Sequence, residues 1–244
     1  MKTIHILAMS AGVLMASQLV SLGSGWQLVP YVQLDPYPWD KPRPPIIVPE
    51  GCDTLLSSGC EVTSNAPDIV PPDMLQDITD EKTVPDEAYD VEFRGGLQWI
   101  QVDLGSAKEI HAICIWHYFQ GTSLFNQRAY RDVVCRISND PEFVDGVITV
   151  FNNDYDNSAG FGVGKDKEFA ETPYGRPFAV DAVKGRYIRW YNSGYVHNSR
   201  GSGNSVYRGS HFTKIAIYGK QSRRTQQVDV ENVTPRHKRT EIEN

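Results

Sequence analysis

The side chains best suited to chemistry in this sequence are aromatic rings interleaved with histidine, arginine and amide groups. Residues 116–119 (WHYF) lead toward residues 127–130 (QRAY), and residues 192–200 (NSGYVHNSR) repeat the mixture. A flat ring packs on the C–H patch of a sugar while nearby donors and acceptors read its hydroxyls. The candidates for such contacts are Tyr118 and Tyr195 for stacking, with His117, Arg128, His197 and Asn198 for hydrogen bonds. Each also has a plainer role. Trp116 shares a strand face with Ala112 and Cys114 and suits a core, Tyr118 and Arg128 can simply close a loop, and long polar loops expose residues without purpose. Catalytic arrangements are harder to find. Six histidines are present, but His111 and His117 on one extended strand would lie about 20 Å apart, too far to act together. Neither a nucleophile elbow nor an HExxH helix motif nor a phosphate-cradling glycine loop occurs, and no spacing pairs two carboxylates as glycoside hydrolysis requires. The sequence therefore reads as a binding protein rather than an enzyme. A hard-cation loop is a further candidate: Asp154, Asp156 and Ser158 recur at alternate positions before Gly160. Lys165 stands where an EF-hand places its last acid, and a polar turn held by its own Asx bonds is the simpler account.

Bulk properties narrow the partners. A formal net charge of −6 argues against nucleic acid, whose phosphates require a positive surface. Residues 1–25 begin with Lys2, continue through an apolar run and end in small residues, the pattern of a secretory leader. Its interruption by His5, Ser10, Ser17 and Gln18 disfavours a membrane anchor, and no later stretch is apolar enough to span a bilayer. Export to an extracytoplasmic location permits disulfides among Cys52, Cys60, Cys114 and Cys135. Cys52 and Cys60, close together in a Gly/Ser-containing loop, are natural partners, whereas Cys114 and Cys135 sit in apolar runs where cysteine also serves as a small hydrophobe. No CxxC or Cys/His spacing suggests zinc.

The elements that must position these groups read as strands. Residues 26–49 are dense in proline and form a semi-extended spacer, and residues 220–244 are a polar, disordered tail. Between them, residues 50–219 carry short alternating runs: 97–104 (LQWIQVDL) ended by Gly105, then 110–118, 133–138, 147–151, 186–191 and 212–218. Turns fall at Asn139-Asp140-Pro141, Asp145-Gly146 and Lys184-Gly185, and residues 192–209 form a flexible loop. Several strands without a βαβ rhythm predict an all-β antiparallel sandwich.

Taken in order, these segments resemble the discoidin, or coagulation factor 5/8 type C, family. The likeness is carried by residues 99–105 (WIQVDLG), by Arg131-Asp132-Val133-Val134 leading to Ile137-Ser138-Asn139-Asp140-Pro141, by residues 184–189 (KGRYIR), and by residues 214–219 (KIAIYG), with residues 60–65 (CEVTSN) as the opening strand. It spans roughly residues 55–219. The resemblance implies a jelly-roll, galactose-binding-like sandwich with a ligand on loops at one end: a carbohydrate or cell-surface glycan, or a protein partner in a structural or adhesive role. It also implies a structural Ca2+ between an early loop and the closing strand. Asp77, Asp80 and Thr83 would supply oxygens, but the acid expected on the closing strand is Lys214. Either the ammonium replaces the ion by neutralising Asp77 or Asp80, or calcium persists on other ligands.

Overall fold

Alternation of buried and exposed side chains along extended runs builds β structure almost throughout. The computed structural model describes residues 41, 43–80, 91–119, 128–199 and 203–220, with the backbone alone for residues 197–199 and 203–206. The expected leader, most of the spacer and the tail beyond Lys220 lie outside the described residues. The elements are β1 (Thr54–Leu55), β2 (Glu61–Ser64), α1 (Pro72–Gln76) running into a 3-10 turn (Asp77–Thr79), β3 (Val91–Phe93), β4 (Gln98–Trp116), β5 (Arg128–Tyr130), β6 (Val134–Ser138), β7 (Ile148–Asn152), β8 (Arg176–Asn192), β9 (Tyr195–Ser199), β10 (Gly203–Tyr207), β11 (Ser210–Phe212) and β12 (Lys214–Lys220). The main sheet runs β1-β12-β4-β8-β6-β7, with β2 on the first half of β4. The pairs β3–β11 and β5–β9–β10 complete the strands, and every ladder is antiparallel.

One core cluster joins these sheets into a sandwich. The main sheet contributes Ile100, Val102, Ile113, Ile115, Ile137, Ile188, Trp190, Ile215 and Ile217; Phe93, Phe212, Tyr130 and Tyr195 come from the other strands. Leu75 and Ile78 close one side from α1 and the turn after it. Side chains of period two require the register to be fixed, and a one-residue insertion moves each later side chain to the opposite face. That is what happens in β4. Ile100, Val102 and Leu104 point inward at even positions, the register then slips between Asp103 and Lys108 and again between Ile110 and Ala112, and Ile113 and Ile115 point inward at odd ones. Ala112, Cys114 and Trp116 accordingly face away, with Cys114 and Trp116 in a small outer cluster with Ala216.

Three sequence expectations are corrected here. Gly105 does not end a strand: its backbone takes φ +74 and bends one 19-residue strand that continues to Trp116. Lys184-Gly185 likewise lies inside the 17-residue β8, where Gly185 passes tightly against the Ile137 side chain. Both sites looked like turns because glycine marks bulges and turns alike. The expected Cys52–Cys60 bridge is absent, since all four cysteines are free thiols. Cys60 Sγ lies 3.2 Å from the Leu56 carbonyl, while Cys135 and Cys114 belong to clusters on different faces of the sheet. Burial raises the thiol pKa of both Cys114 and Cys135, so they are inert apolar fillers. The spacer also meets the domain: Ile46 and Val48 line an apolar pocket with Ala112, Cys114, Pro177 and Tyr218.

Candidate functional site

Within the segment expected as a flexible loop at residues 192–209, two strands pair. β9 pairs with β10 from Tyr195↔Tyr207 to Ser199↔Gly203, and β5 adds a third strand with Arg128 opposite His197 and Tyr130 opposite Tyr195. Gly194 makes the entry possible, because at φ +118 a side chain there would meet the Tyr207 carbonyl at 2.2 Å. The hairpin brings aromatic rings over one another. Tyr195 and Tyr207 stack with centroids 5.0 Å apart and planes 12° from parallel, and Tyr207 remains 47% exposed. The Arg128 guanidinium lies 4.6 Å from the centre of the Tyr118 ring and 4.4 Å from that of Tyr195. His211 adjoins both rings, at 5.7 Å from Tyr118 and 5.5 Å from Tyr195. Burial lowers the His211 pKa to about 3, helped by Arg128 and His117, so this imidazole is neutral at ordinary pH.

Of the side chains expected at a ligand site, Tyr118, Arg128 and Tyr195 are thus brought together. His197 and Asn198 sit on β9, and their side chains lie outside the described residues. His117 is corrected. It is fully buried, stacks on Tyr130 at 4.2 Å, abuts Trp190 at 4.6 Å, and its Nδ1 lies 2.5 Å from Glu171 Oε1. It braces the floor beneath the aromatic cluster and has no surface to offer a ligand. Tyr130 hydrogen-bonds the Tyr118 carbonyl at 3.1 Å and ties that floor to the loop above. Tyr207 and His211 were not singled out from sequence as contacts. Gly201 and Gly203, between two mostly polar runs, were the hairpin signal the sequence offered.

The implied calcium position near the closing strand holds an ammonium. Lys214 Nζ donates to Asp80 Oδ1 at 2.6 Å and to the Asp80 carbonyl at 2.8 Å, with the lysine side chain 6% exposed. The donors there do not fit a divalent ion while that charge is present. Thr83 lies outside the described residues, and Asp77 is taken into the 3-10 turn, its carbonyl accepting the Asp80 amide. Lys214→Met, which leaves Asp80 without its cation, is expected to lose about 1–2 kcal/mol in urea unfolding, the pair being partly open to solvent. A loss confined to high salt would contradict the assignment.

The oxygen-rich loop after β7 also differs from its reading. Ser158, expected as the third ligand, has its amide and hydroxyl both turned to Asp154 Oδ1, at 3.0 and 3.4 Å. Asp132 takes that place, and carboxylate oxygens of Asp132, Asp154 and Asp156 all lie within 4.8 Å of one another. Burial raises the Asp154 pKa and pushes that of Glu168 up to about 7, with repulsion from Asp132 and Asp156 added and Arg131 opposing. A second group that sequence spacing concealed is Cys52, Glu109 and His111. There His111 Nε2 is 3.0 Å from Glu109 Oε1, and the His111 hydrogen bond holds Glu109 below its usual range, with Lys220, His111 and Lys184 adding attraction. The carboxylate is already compensated by Lys220 and Lys184, so this trio reads as a hydrogen-bonded carboxylate and imidazole beside a thiol.

No protein-family model and no curated protein sequence matches this chain. Among solved structures it is similar to a family 89 glycoside hydrolase from Clostridium perfringens (17% identity, 69% of this chain and 15% of that one, TM-score 0.47). It is also similar to the CBM32 module of AlyQ solved with 4,5-unsaturated mannuronic acid (20%, 64% and 92%, 0.40). A third is chitosan-binding module 1 of a chitosanase/glucanase from Paenibacillus sp. IK-5 (16%, 68% and 99%, 0.41). The chain spans 15% of the length of the hydrolase and nearly all of the two modules.

Proposed function

We propose that this chain is an exported, non-catalytic carbohydrate-binding module whose ligand lies against the β9–β10 hairpin. The observation that carries the reading is the stacked pair Tyr195–Tyr207, in which Tyr195 is buried and Tyr207 is half open to solvent, beside an arginine held between two rings. A sugar ring packs its C–H face on Tyr207, and the Arg128 guanidinium donates to hydroxyl or carboxylate oxygens at its edge. Rings fixed by stacking lose little conformational freedom on binding, which favours reversible capture. Among the described residues no helix is long and apolar enough to cross a membrane.

A glycan-array screen of the full chain, with and without EDTA, followed by titration calorimetry tests the reading. Tyr207→Ala is expected to weaken the selected sugar about tenfold, the value of one aromatic contact, and Arg128→Ala at least as much. Both variants should keep the melting behaviour of a folded β-sandwich. Absence of any sugar binding, together with a stable protein partner, would replace this reading with a structural or protein-interaction role.

A further inference from the structure

We propose that Asp132, Asp154, Asp156 and Glu168 form a site for one hard divalent cation, Ca2+ by its many-carboxylate donor set, at the root of the β9–β10 hairpin. Two segments converge there and a third adjoins them. Asp132 follows β5 in a left-handed conformation at φ +53, Asp154 and Asp156 come from the loop after β7, and Glu168, before the bridge between Ala170 and Ala129, is near enough to feel the charges of Asp132, Asp156 and Arg131. The first three place carboxylate oxygens within 4.8 Å of one another. All donors are oxygens, which excludes a preference for softer metals.

The independent observation is burial without a partner. Glu168 is 3% exposed and Asp132 4% exposed, yet Glu168 Oε1 and Asp132 Oδ1 are buried and accept no hydrogen bond. An acceptor in that position costs about 1–3 kcal/mol unless something fills its lone pairs. Among the described residues, the cation that meets this group is Arg131, with Nη2 3.9 Å from Asp156 Oδ2. One guanidinium at that distance does not balance four carboxylates. Meanwhile Ser158 and Ala159 amides hold Asp154, and the Ser158 amide holds Asp156, so the oxygens are already oriented.

The position gives such an ion a consequence. Asp132 Oδ2 accepts from the Ser193 hydroxyl, the Ser193 amide donates to the Arg131 carbonyl at 3.0 Å, and the Arg131 amide donates to the Gly194 carbonyl at 2.8 Å. The next residue is Tyr195. A bound cation would therefore fix the base of the strand that presents the aromatic pair.

Titration calorimetry of the chelator-stripped full chain with CaCl2, in the absence of any sugar, decides the matter. One site with a dissociation constant between about 10⁻⁵ and 10⁻³ M is expected, with MgCl2 weaker by at least about tenfold. Ca2+ should raise the melting temperature by mass action. Asp132→Asn and Asp154→Asn should each weaken binding at least about tenfold, while Asp77→Asn, at the early loop, leaves it unchanged. In EDTA Asp132→Asn should melt no lower than the parent, because it removes like-charge repulsion and keeps one oxygen for the Ser193 hydroxyl, so lost binding in that variant cannot be laid to misfolding. No saturable binding up to about 10 mM Ca2+, or binding that survives both site variants, overturns the proposal.

Discussion

Replacing Trp190 by alanine is expected to cost about 3–5 kcal/mol of stability, a large share of the about 5–15 kcal/mol typical of a folded domain. The residue lies on β8, flanked in the main sheet by β4 and β6, with Ile100 opposite it on one side and Cys135 on the other. Its indole is fully buried and meets Phe212 edge-on at 4.9 Å and His117 at 4.6 Å, so it fills the space between the layers. Strands paired on both edges cannot shift to close the hole, and the cavity term adds to the lost transfer energy. Trp190→Phe should lose much less, about 1–2 kcal/mol: most of the apolar area stays, and an indole Nε1 that is buried without a hydrogen-bond partner disappears. Urea titration reads both effects as midpoint shifts. Tyr174→Ala, at a 43% exposed ring, supplies the comparison and should stay within about 0.5 kcal/mol. An alanine variant at position 190 that loses under 1 kcal/mol would mean that the core is centred elsewhere.

How much of this was legible in the sequence depends on how local the cause is. Alternation at Ile100, Val102 and Leu104 announces β4, and Ile188 with Trp190 announces β8, because pleating converts a period of two directly into two faces. The continuation of both strands through Gly105 and Gly185 was hidden, since a bulge and a turn use the same residue and only the partner strand distinguishes them. The β9–β10 hairpin was hidden for a related reason: its sequence is polar, and the pairing rather than burial makes it extended. In the candidate site, Tyr118, Arg128 and Tyr195 were visible as residue types suited to a ligand. His117 was misplaced because a strand's end does not reveal whether the next residue turns inward, and here it does, under Tyr130. Asp132 could not be joined to Asp154 and Asp156, nor Glu168 set near them, by any local reading, as the groups come from separate chain segments. Lys214 is the instructive case of the opposite kind. One unexpected charge at one strand position raised, beside retained calcium, the alternative that an ammonium neutralises an early-loop aspartate, and Lys214 Nζ reaches Asp80.

Glu171→Ala is expected to destabilise the domain by about 2–4 kcal/mol, whereas Glu171→Gln should hold the fold and change how stability depends on pH. Glu171 and His117 are both shut away from water, and their side chains meet at 2.5 Å. Burial raises the Glu171 carboxyl well above its ordinary range, with Arg43 and Arg176 among the opposing influences, and burial lowers the His117 imidazole. Two neutral groups sharing one proton satisfy both shifts, since an ion pair here would lose its hydration on both sides. The signs then follow. A carboxyl raised in the folded state gives stability that is complete below about pH 4.3 and drains away as pH rises, because the unfolded chain ionises first. A lowered histidine acts oppositely: its share is present above about pH 6.5 and is lost as pH falls, because the unfolded chain takes up the proton. Glutamine removes the first slope and keeps the second. Relative to the parent, the Gln variant should therefore gain stability steadily from about pH 5 to pH 8, while its amide still donates to His117 Nδ1. Alanine leaves that nitrogen buried with no partner, beside an Nε2 that already has none, and the loss appears at every pH. Denaturant unfolding of the three proteins across this range measures the difference. A Gln variant as unstable as the Ala variant at pH 7 would show that the pair is ionised in the fold, and the neutral assignment would fall.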